Sequence, residues 1–235
     1  MSTNNNFIST DVSYHQQNHR NHSINGDKLL SHYFEGESRF VMVLCDGLGS
    51  GKEANMMSKL VAERLLDFNH TKESISRVAA DTLNSLPLTN KHGICYSTFS
   101  LIDINLSTSQ ATIIEYDNPE CIVLRGNKIH ELDWQYIEFN SNICRHKTIR
   151  KTTIELTKGD RLIIMSDGVT QSGIGSIRYP FGWQREEVVS HVSQELQTTP
   201  NCPSKQLSHS IINKSIENDN NTPQDDISCG VITIL

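Results

Sequence analysis

Twice in this sequence a short apolar run ends abruptly in aspartate followed by glycine. Val41–Cys45 leads into Asp46-Gly47, and Leu162–Ser166 leads into Asp167-Gly168. Continuous apolar runs of this length are the pattern of strands buried on both faces. Each aspartate is therefore delivered to the mouth of a core strand. A third acidic pair, Asp225-Asp226, stands directly before the last apolar run, and Asp27 follows Gly26 upstream. Carboxylates that converge repel unless a cation sits among them. Hard oxygen donors favour Mg2+ or Mn2+. Aspartate has the short, stiff side chain that such a cluster needs, and the following glycine lets backbone approach closely. A single Asp-Gly is a common turn dipeptide, so the chemistry rests on the recurrence and its order.

The remaining pattern places these residues on a fold. Arg39–Leu44 (RFVMVL) reads as a buried strand, followed by the turn-rich loop Asp46-Gly47-Leu48-Gly49-Ser50-Gly51. Ala54, Met57, Leu60, Val61, Leu65 and Phe68 recur at helical spacing, as do Ile75, Val78, Ala79, Leu83 and Leu86, with Pro87 closing the second helix. Tyr96–Ile104, Ala111–Tyr116, Cys121–Leu124 and Ile129–Leu132 predict an antiparallel meander with turns at Asn105, Asn118-Pro119 and Gly126-Asn127. Thr152–Leu156 and Arg161–Met165 flank Lys158-Gly159-Asp160, a predicted hairpin turn. Helices are expected over Glu186–Leu196 and Lys205–Ile216, then the polar loop Glu217–Gln224 and a final strand over Ile227–Leu235. This order predicts an α+β fold with antiparallel sheets between helical layers. No linker divides the chain, so residues 1–235 are expected to form one domain, with Met1–Asn6 disordered.

Composition narrows the function. The 235 residues carry a net charge of −6, which argues against nucleic-acid binding. The basic residues Arg145, Lys147, Arg150, Lys151 and Lys158 read as a solvated hairpin rather than a docking patch. Hydrophobic residues make up 36%, which predicts a thin core with long polar loops. The six cysteines are scattered and form no C-x-x-C pair, as expected of reduced thiols in the cytoplasm. The N-terminus has no signal-peptide core, and no apolar run approaches the ~20 residues that span a membrane.

In combination, Gly26-Asp27, the run Cys45-Asp46-Gly47-Leu48-Gly49-Ser50-Gly51-Lys52-Glu53-Ala54, Gly159-Asp160-Arg161-Leu162 leading to Ser166-Asp167-Gly168, and Asp225-Asp226-Ile227-Ser228 resemble the SpoIIE branch of the metal-dependent PPM (type 2C) serine/threonine phosphatases. The resemblance spans roughly residues 20 to 235. It implies an α-β-β-α sandwich and two Mn2+ or Mg2+ ions that activate a water for in-line attack on a phosphoserine or phosphothreonine. Asp46 would bridge the two ions, Asp27 and the Gly47 carbonyl would help hold one, and Asp167 and Asp225 the other. Asp226 would support them from behind. Within this resemblance Asp46 and Asp167 carry catalysis. The implied partner is a phosphorylated regulatory protein of the anti-sigma antagonist type. The arginine and histidine that bind phosphate and protonate the leaving group in the human enzymes have no counterpart here. Where the branch often has Gly-x-x-Pro, this chain has Asp117-Asn118-Pro119, expected to lie away from the metals. A catalytically silent phosphoprotein-binding member and a small-molecule phosphohydrolase on the same centre remain open as alternatives.

Other motifs fail on inspection. The Gly47–Lys52 stretch lacks the first glycine and the Ser/Thr of a P-loop, because Asp46 and Glu53 stand there. Lys52 also occupies the third glycine position of a dinucleotide fingerprint. His15, His19 and His22 sit in wholly polar surroundings, as expected of exposed or edge-strand residues. Cys45 precedes Asp46, and strand alternation turns it to the opposite face. The glycine-rich stretch Thr170–Trp183 is either a flap over the site or an ordinary surface loop.

Overall fold

The computed structural model describes residues 8–67, 74–86, 97–141, 144 and 146–235. The Met1–Asn6 tail, together with Phe68, Pro87, Cys95, Tyr96 and Arg145, lies outside them. Among the described residues eleven strands form two antiparallel sheets. The five-stranded sheet has the order β1 (Thr10–Gln17), β11 (Ile227–Ile234), β10 (Arg161–Met165), β6 (Ile122–Arg125), β7 (Lys128–Ile129). The six-stranded sheet runs β2 (Asp27–Phe34), β3 (Arg39–Gly47), β4 (Ser97–Asn105), β5 (Gln110–Tyr116), β9 (Thr148–Glu155), β8 (Gln135–Glu138). Helices α1 (Lys52–Leu66) and α2 (Ile75–Asn84) cover the outer face of the six-stranded sheet. A one-turn helix α3 (Asp167–Thr170) follows β10, and α4 (Gln184–Thr198) and α5 (Ser204–Asn218) cover the five-stranded sheet.

Strand alternation explains the layers. Phe40, Met42 and Leu44 of β3 meet Leu162 and Ile164 of β10 and Ile232 and Ile234 of β11 between the sheets. Their neighbours Val41, Val43 and Cys45 point the other way, onto Val61, Ala62 and Leu65 of α1 and Ala79 and Leu83 of α2. Ile163 and Met165 likewise face Val188, Val192 and Ile211 of α4 and α5. The core is thicker than the composition suggests. Apolar residues are concentrated in strands covered on both faces, and all eight residues of β11 are buried.

Two expectations need correction. The segment Lys158-Gly159-Asp160 does not turn a hairpin: β9 pairs with β5 and β8, and β10 pairs with β11 and β6, so this segment crosses between sheets. Buried Asp160 holds the crossing by accepting from the Thr157 amide at 2.9 Å and from both Nε and Nη2 of Arg125. The Asp117–Pro119 segment is also a crossover, carrying the chain from β5 to β6. Beside it, fully buried Glu115 accepts from Arg150 Nε at 2.7 Å and from the Cys121 amide at 2.7 Å. Arg150 donates through Nη2 to the Asn118 carbonyl and lies over the Trp134 ring, so it is not part of a free basic patch.

Burial pushes the Glu115 carboxyl up to about 7, only partly offset by Arg150 and the Cys121 amide. A carboxyl raised on folding adds most stability when protonated, and that contribution is lost as pH rises through the folded value. Arg150→Met should therefore destabilise the fold by about 3–5 kcal/mol at pH 8, where it strands a buried charge. The loss should be smaller at pH 5.5, where Glu115 takes up a proton. Urea unfolding at the two pH values checks this, and an equal loss at both would mean that Arg150 acts by packing alone.

Candidate metal centre

Continuing the inner-face series of β3 past Leu44 brings the chain to Asp46. On the neighbouring strand Leu29 pairs with Leu44, and Asp27 pairs directly with Asp46. Facing residues of an antiparallel pair have Cβ atoms about 4.5–5.5 Å apart, and like charges there are destabilising. Asp167 arrives from the opposite sheet, as the first residue of α3 beyond β10. Asp225 enters just ahead of β11. The four aspartates named from the sequence thus converge at one end of the gap between the sheets.

The glycine after each strand-end aspartate has a steric reason. A Cβ on Gly47 would lie 2.1 Å from the Ala54 carbonyl oxygen, and one on Gly168 would lie 2.1 Å from the Asp226 carbonyl oxygen. Only glycine lets α1 close against the first loop and α3 against the chain leading into β11. Helix α1 also fixes the approach to Asp27. Asn55 donates to the Asn25 carbonyl at 2.8 Å and Ser58 to the Gly26 carbonyl at 2.6 Å, and the Asp27 amide donates to Asn25 Oδ1.

The electrostatics reflect carboxylates crowded out of water. Burial raises the Asp46 carboxyl well above the usual range, and Asp27, Asp167 and Asp225 raise it further. Asp27 is raised by burial and by Asp226 and Asp225, against hydrogen bonding from Ser228 and Ser166. Asp167 is also raised, chiefly by burial. Asp225 is pushed up to about 6 by burial, with Asp167 and Asp226 adding to the effect. Asp46 and Asp167, from opposite sheets, lie close enough for each to shift the other's carboxyl. Among the described residues no three His, Cys, Asp or Glu side chains already stand close enough to ligate an ion. The donor set nonetheless fits a hard divalent cation. It is all oxygen, its members face each other from two sheets, and buried Asp27 Oδ2 has no hydrogen-bond partner.

Asp225 and Asp226 differ sharply. Alternation along β11 puts Asp226 on the inner face, yet both its oxygens are occupied. The His19 amide donates to Oδ1 at 2.9 Å and the Gly26 amide to Oδ2 at 2.8 Å. Asp225 accepts from the Asp226 amide through Oδ1 and faces Asp167 and Asp46 electrostatically.

Several supporting residues gave no sequence signal. Gln171 Nε2 donates to Asp167 Oδ2 at 2.8 Å, one helical turn on. Asp219 ties the Gly173 amide to the Gln224 amide, just ahead of Asp225. Asn118 joins β4 to the end of β10, and Asp117 contributes to the raised carboxyl of Asp167. The Asp117–Pro119 loop therefore adjoins the centre, contrary to the sequence expectation.

The other motifs fall elsewhere. Cys45 faces α1 and α2 with a thiol that burial pushes far up, unsuited to nucleophilic attack. His15 lies on the edge strand β1 against Ser208, and His22 meets Ser50. Buried Tyr179 and Trp183 anchor the Thr170–Trp183 loop, whose Ile177 and Phe181 are exposed. A groove of about 1030 Å³ between α4 and α5, lined by Trp183, His191, Lys205 and His209, contains none of the four aspartates.

The same architecture occurs in solved structures. The phosphatase domain of the cell fate determinant SpoIIE from Bacillus subtilis superposes with a TM-score of 0.67 at 17% identity, over 97% of this chain and 93% of that one. RsbX, crystallised with magnesium, gives 0.65 at 17% identity over 97% and 98%. A serine/threonine phosphatase of S. agalactiae gives 0.66 at 14% identity over 96% and 99%. At these identities the likeness is one of fold. No protein with a curated description matches the sequence. The profile of the stage II sporulation protein E (SpoIIE) family matches residues 36–235, which include Asp46, Asp167, Asp225 and Asp226, while Asp27 lies outside the match and is tied in by its pairing with Asp46. With the two-sheet sandwich and the aspartates at its mouth already in place, that match makes this chain a member of the SpoIIE family.

Proposed function

We propose that this chain is a metal-dependent phosphatase that hydrolyses phosphoserine or phosphothreonine on a regulatory protein. The observation that carries the proposal is the convergence of Asp27 and Asp46 from one sheet with Asp167 and Asp225 from the other, with a buried carboxylate oxygen left unpartnered. Asp46, whose carboxyl is influenced by Asp27 on its own sheet and by Asp167 and Asp225 from the other, would be shared by two Mn2+ or Mg2+ ions. Asp27 and the Gly47 carbonyl would complete one site, and Asp167 and Asp225 the other. Such ions, when bound, supply Lewis-acid activation of water and neutralise charge on the phosphoryl oxygens. The chain's own residues hold the donors in place: Gln171 orients Asp167, the β2–β3 register fixes Asp27 against Asp46, and Asp226 braces the loops behind. All the described cysteines except Cys144 are buried, which supports hydrolysis by water without a phosphoenzyme. Family membership supports a substrate of the anti-sigma antagonist type, and the free thiols of the described cysteines support a cytoplasmic setting. Among the described residues no helix is long and apolar enough to cross a membrane.

The direct test is turnover of a phosphoserine peptide and of an aryl phosphate with added Mn2+. Activity should disappear in excess chelator and return with metal, and full turnover in chelator would exclude the proposed centre.

Asp46→Asn should abolish turnover with the fold intact. In the absence of metal it should hold or raise stability, by up to about 1 kcal/mol, because it relieves a like-charged cross-strand pair. The gain should be largest above neutral pH. It should fade as pH falls and the raised wild-type carboxyls take up protons. Paired chemical denaturation curves and activity assays read both effects.

Asp225→Ala should remove nearly all activity, whereas Asp226→Ala should retain some and chiefly weaken metal binding. Asp226→Ala should also lower stability, since it leaves the His19 and Gly26 amides unsatisfied. Mn2+ titrations of the two variants decide which carboxylate is the ligand. A dead Asp226→Ala beside an active Asp225→Ala would shift the assignment by one residue.

A further inference from the structure

The separation of Asp46 from Asp167 is a distance between two sheets. Apolar contacts hold the sheets together along their length, but such contacts are not directional. At the aspartate end one buried amide side chain spans the gap. Asn118 sits on the crossover from β5 in one sheet to β6 in the other. Its Nδ2 donates to Ser100 Oγ at 2.7 Å and to the Met165 carbonyl at 3.1 Å. Its Oδ1 accepts from Thr98 Oγ1 at 3.2 Å, and its carbonyl accepts from Arg150 Nη2 at 2.8 Å. Thr98 is the β4 residue paired with Asp46, and Met165 is the last residue of β10, two before Asp167. The bonded partners of one side chain are thus the cross-strand partner of Asp46 and the strand end that leads to Asp167, on opposite sheets.

We propose that Asn118 is a positioning residue that fixes how far Asp167 stands from Asp46 and so sets the affinity of the centre for divalent cations. The proposal rests on the metal-centre reading above and adds to it the residue that sets the spacing. Both oxygen and nitrogen of the amide are needed. The nitrogen reaches across to the Met165 carbonyl while the oxygen holds Thr98, and neither a carboxylate nor an apolar side chain of this size can do both.

The test is calorimetric titration of Mn2+ into the full chain, with steady-state hydrolysis of an aryl phosphate and thermal unfolding without metal. Asn118→Leu keeps the shape and removes the side chain's hydrogen bonds. It should weaken Mn2+ binding by about 10-fold or more, and at saturating Mn2+ it should lower kcat with KM little changed. Thr98→Val and Ser100→Ala each remove one of these bonds and should give smaller losses of Mn2+ affinity in folded protein, which keeps the test decisive if Asn118→Leu does not fold. Val192→Ala, in the core under α4, should lower thermal stability while leaving Mn2+ affinity unchanged. If the Asn118, Thr98 and Ser100 variants that fold all bind Mn2+ like wild type, or if Val192→Ala weakens binding as much as they do, the clamp is overturned. A wild-type chain that binds Mn2+ but hydrolyses no phosphoserine peptide would remove the phosphatase reading and leave the clamp standing. A wild-type chain that binds no Mn2+ would remove both.

Discussion

Four carboxylates held at the mouth of two stacked sheets repel one another, and their mutual distance depends on the local gap between the sheets. That gap is braced by polar contacts on two sides. Asn118 joins Thr98 and Ser100 of β4 to the end of β10. Asp226, leading into β11, accepts the amides of His19 and Gly26. Gly26 adjoins Asp27, so the second brace also links the sheets. Both braces involve segments where the chain passes from one sheet to the other. The connections that complete the topology therefore also hold the site. At the far end of β10 Arg125, held by Asp160, donates to the Glu155 carbonyl of β9 and so links the sheets away from the aspartates. A five-residue strand puts that end roughly 17 Å from Asp167.

The parts of this fold that were legible in the sequence are those whose pattern is local. β3, β10 and β11 are covered on both faces and read as unbroken apolar runs. α1 and α2 carry clear apolar stripes. The two Asp-Gly steps stood out because they end such runs. β1 and β2 were not legible: β1 (TDVSYHQQ) is an edge strand whose polar side chains meet α5 and solvent, and its strand character comes from pairing with β11. The predicted hairpin at Lys158-Gly159-Asp160 failed because turn residues show that the chain reverses, not that the flanking strands bond to each other. Here they belong to different sheets. Asn118 was unreadable for a related reason, since its partner Met165 lies far along the chain and no local pattern marks the contact.

The aspartates gathered at the mouth of the sheets were legible as a set, and the difference between Asp225 and Asp226 was not. Counting along β11 would assign Asp226 to the inner face. Only the amides already bonded to its oxygens show that Asp225 is the freer carboxylate. Hydrogen bonds to backbone from distant loops carry no sequence signature beyond the residue that accepts them.

The alternation along β3 also bears on how such a chain can change over time. Leu44 and Asp46 face the gap, while Cys45 faces the helices. Removing one residue from the run Arg39–Leu44 would slide every later side chain to the opposite face. It would bury a carboxylate under α1 and present a thiol between the sheets. A soft sulfur donor selects different metals from a hard oxygen. Point substitutions within this strand can be absorbed singly by repacking, but a length change cannot, because it exchanges the carboxylate for a thiol at the sheet mouth and disrupts the core in one step. A change in chain length is therefore tolerated better in the connections than in the strands leading to the aspartates, where residue count matters more than residue identity.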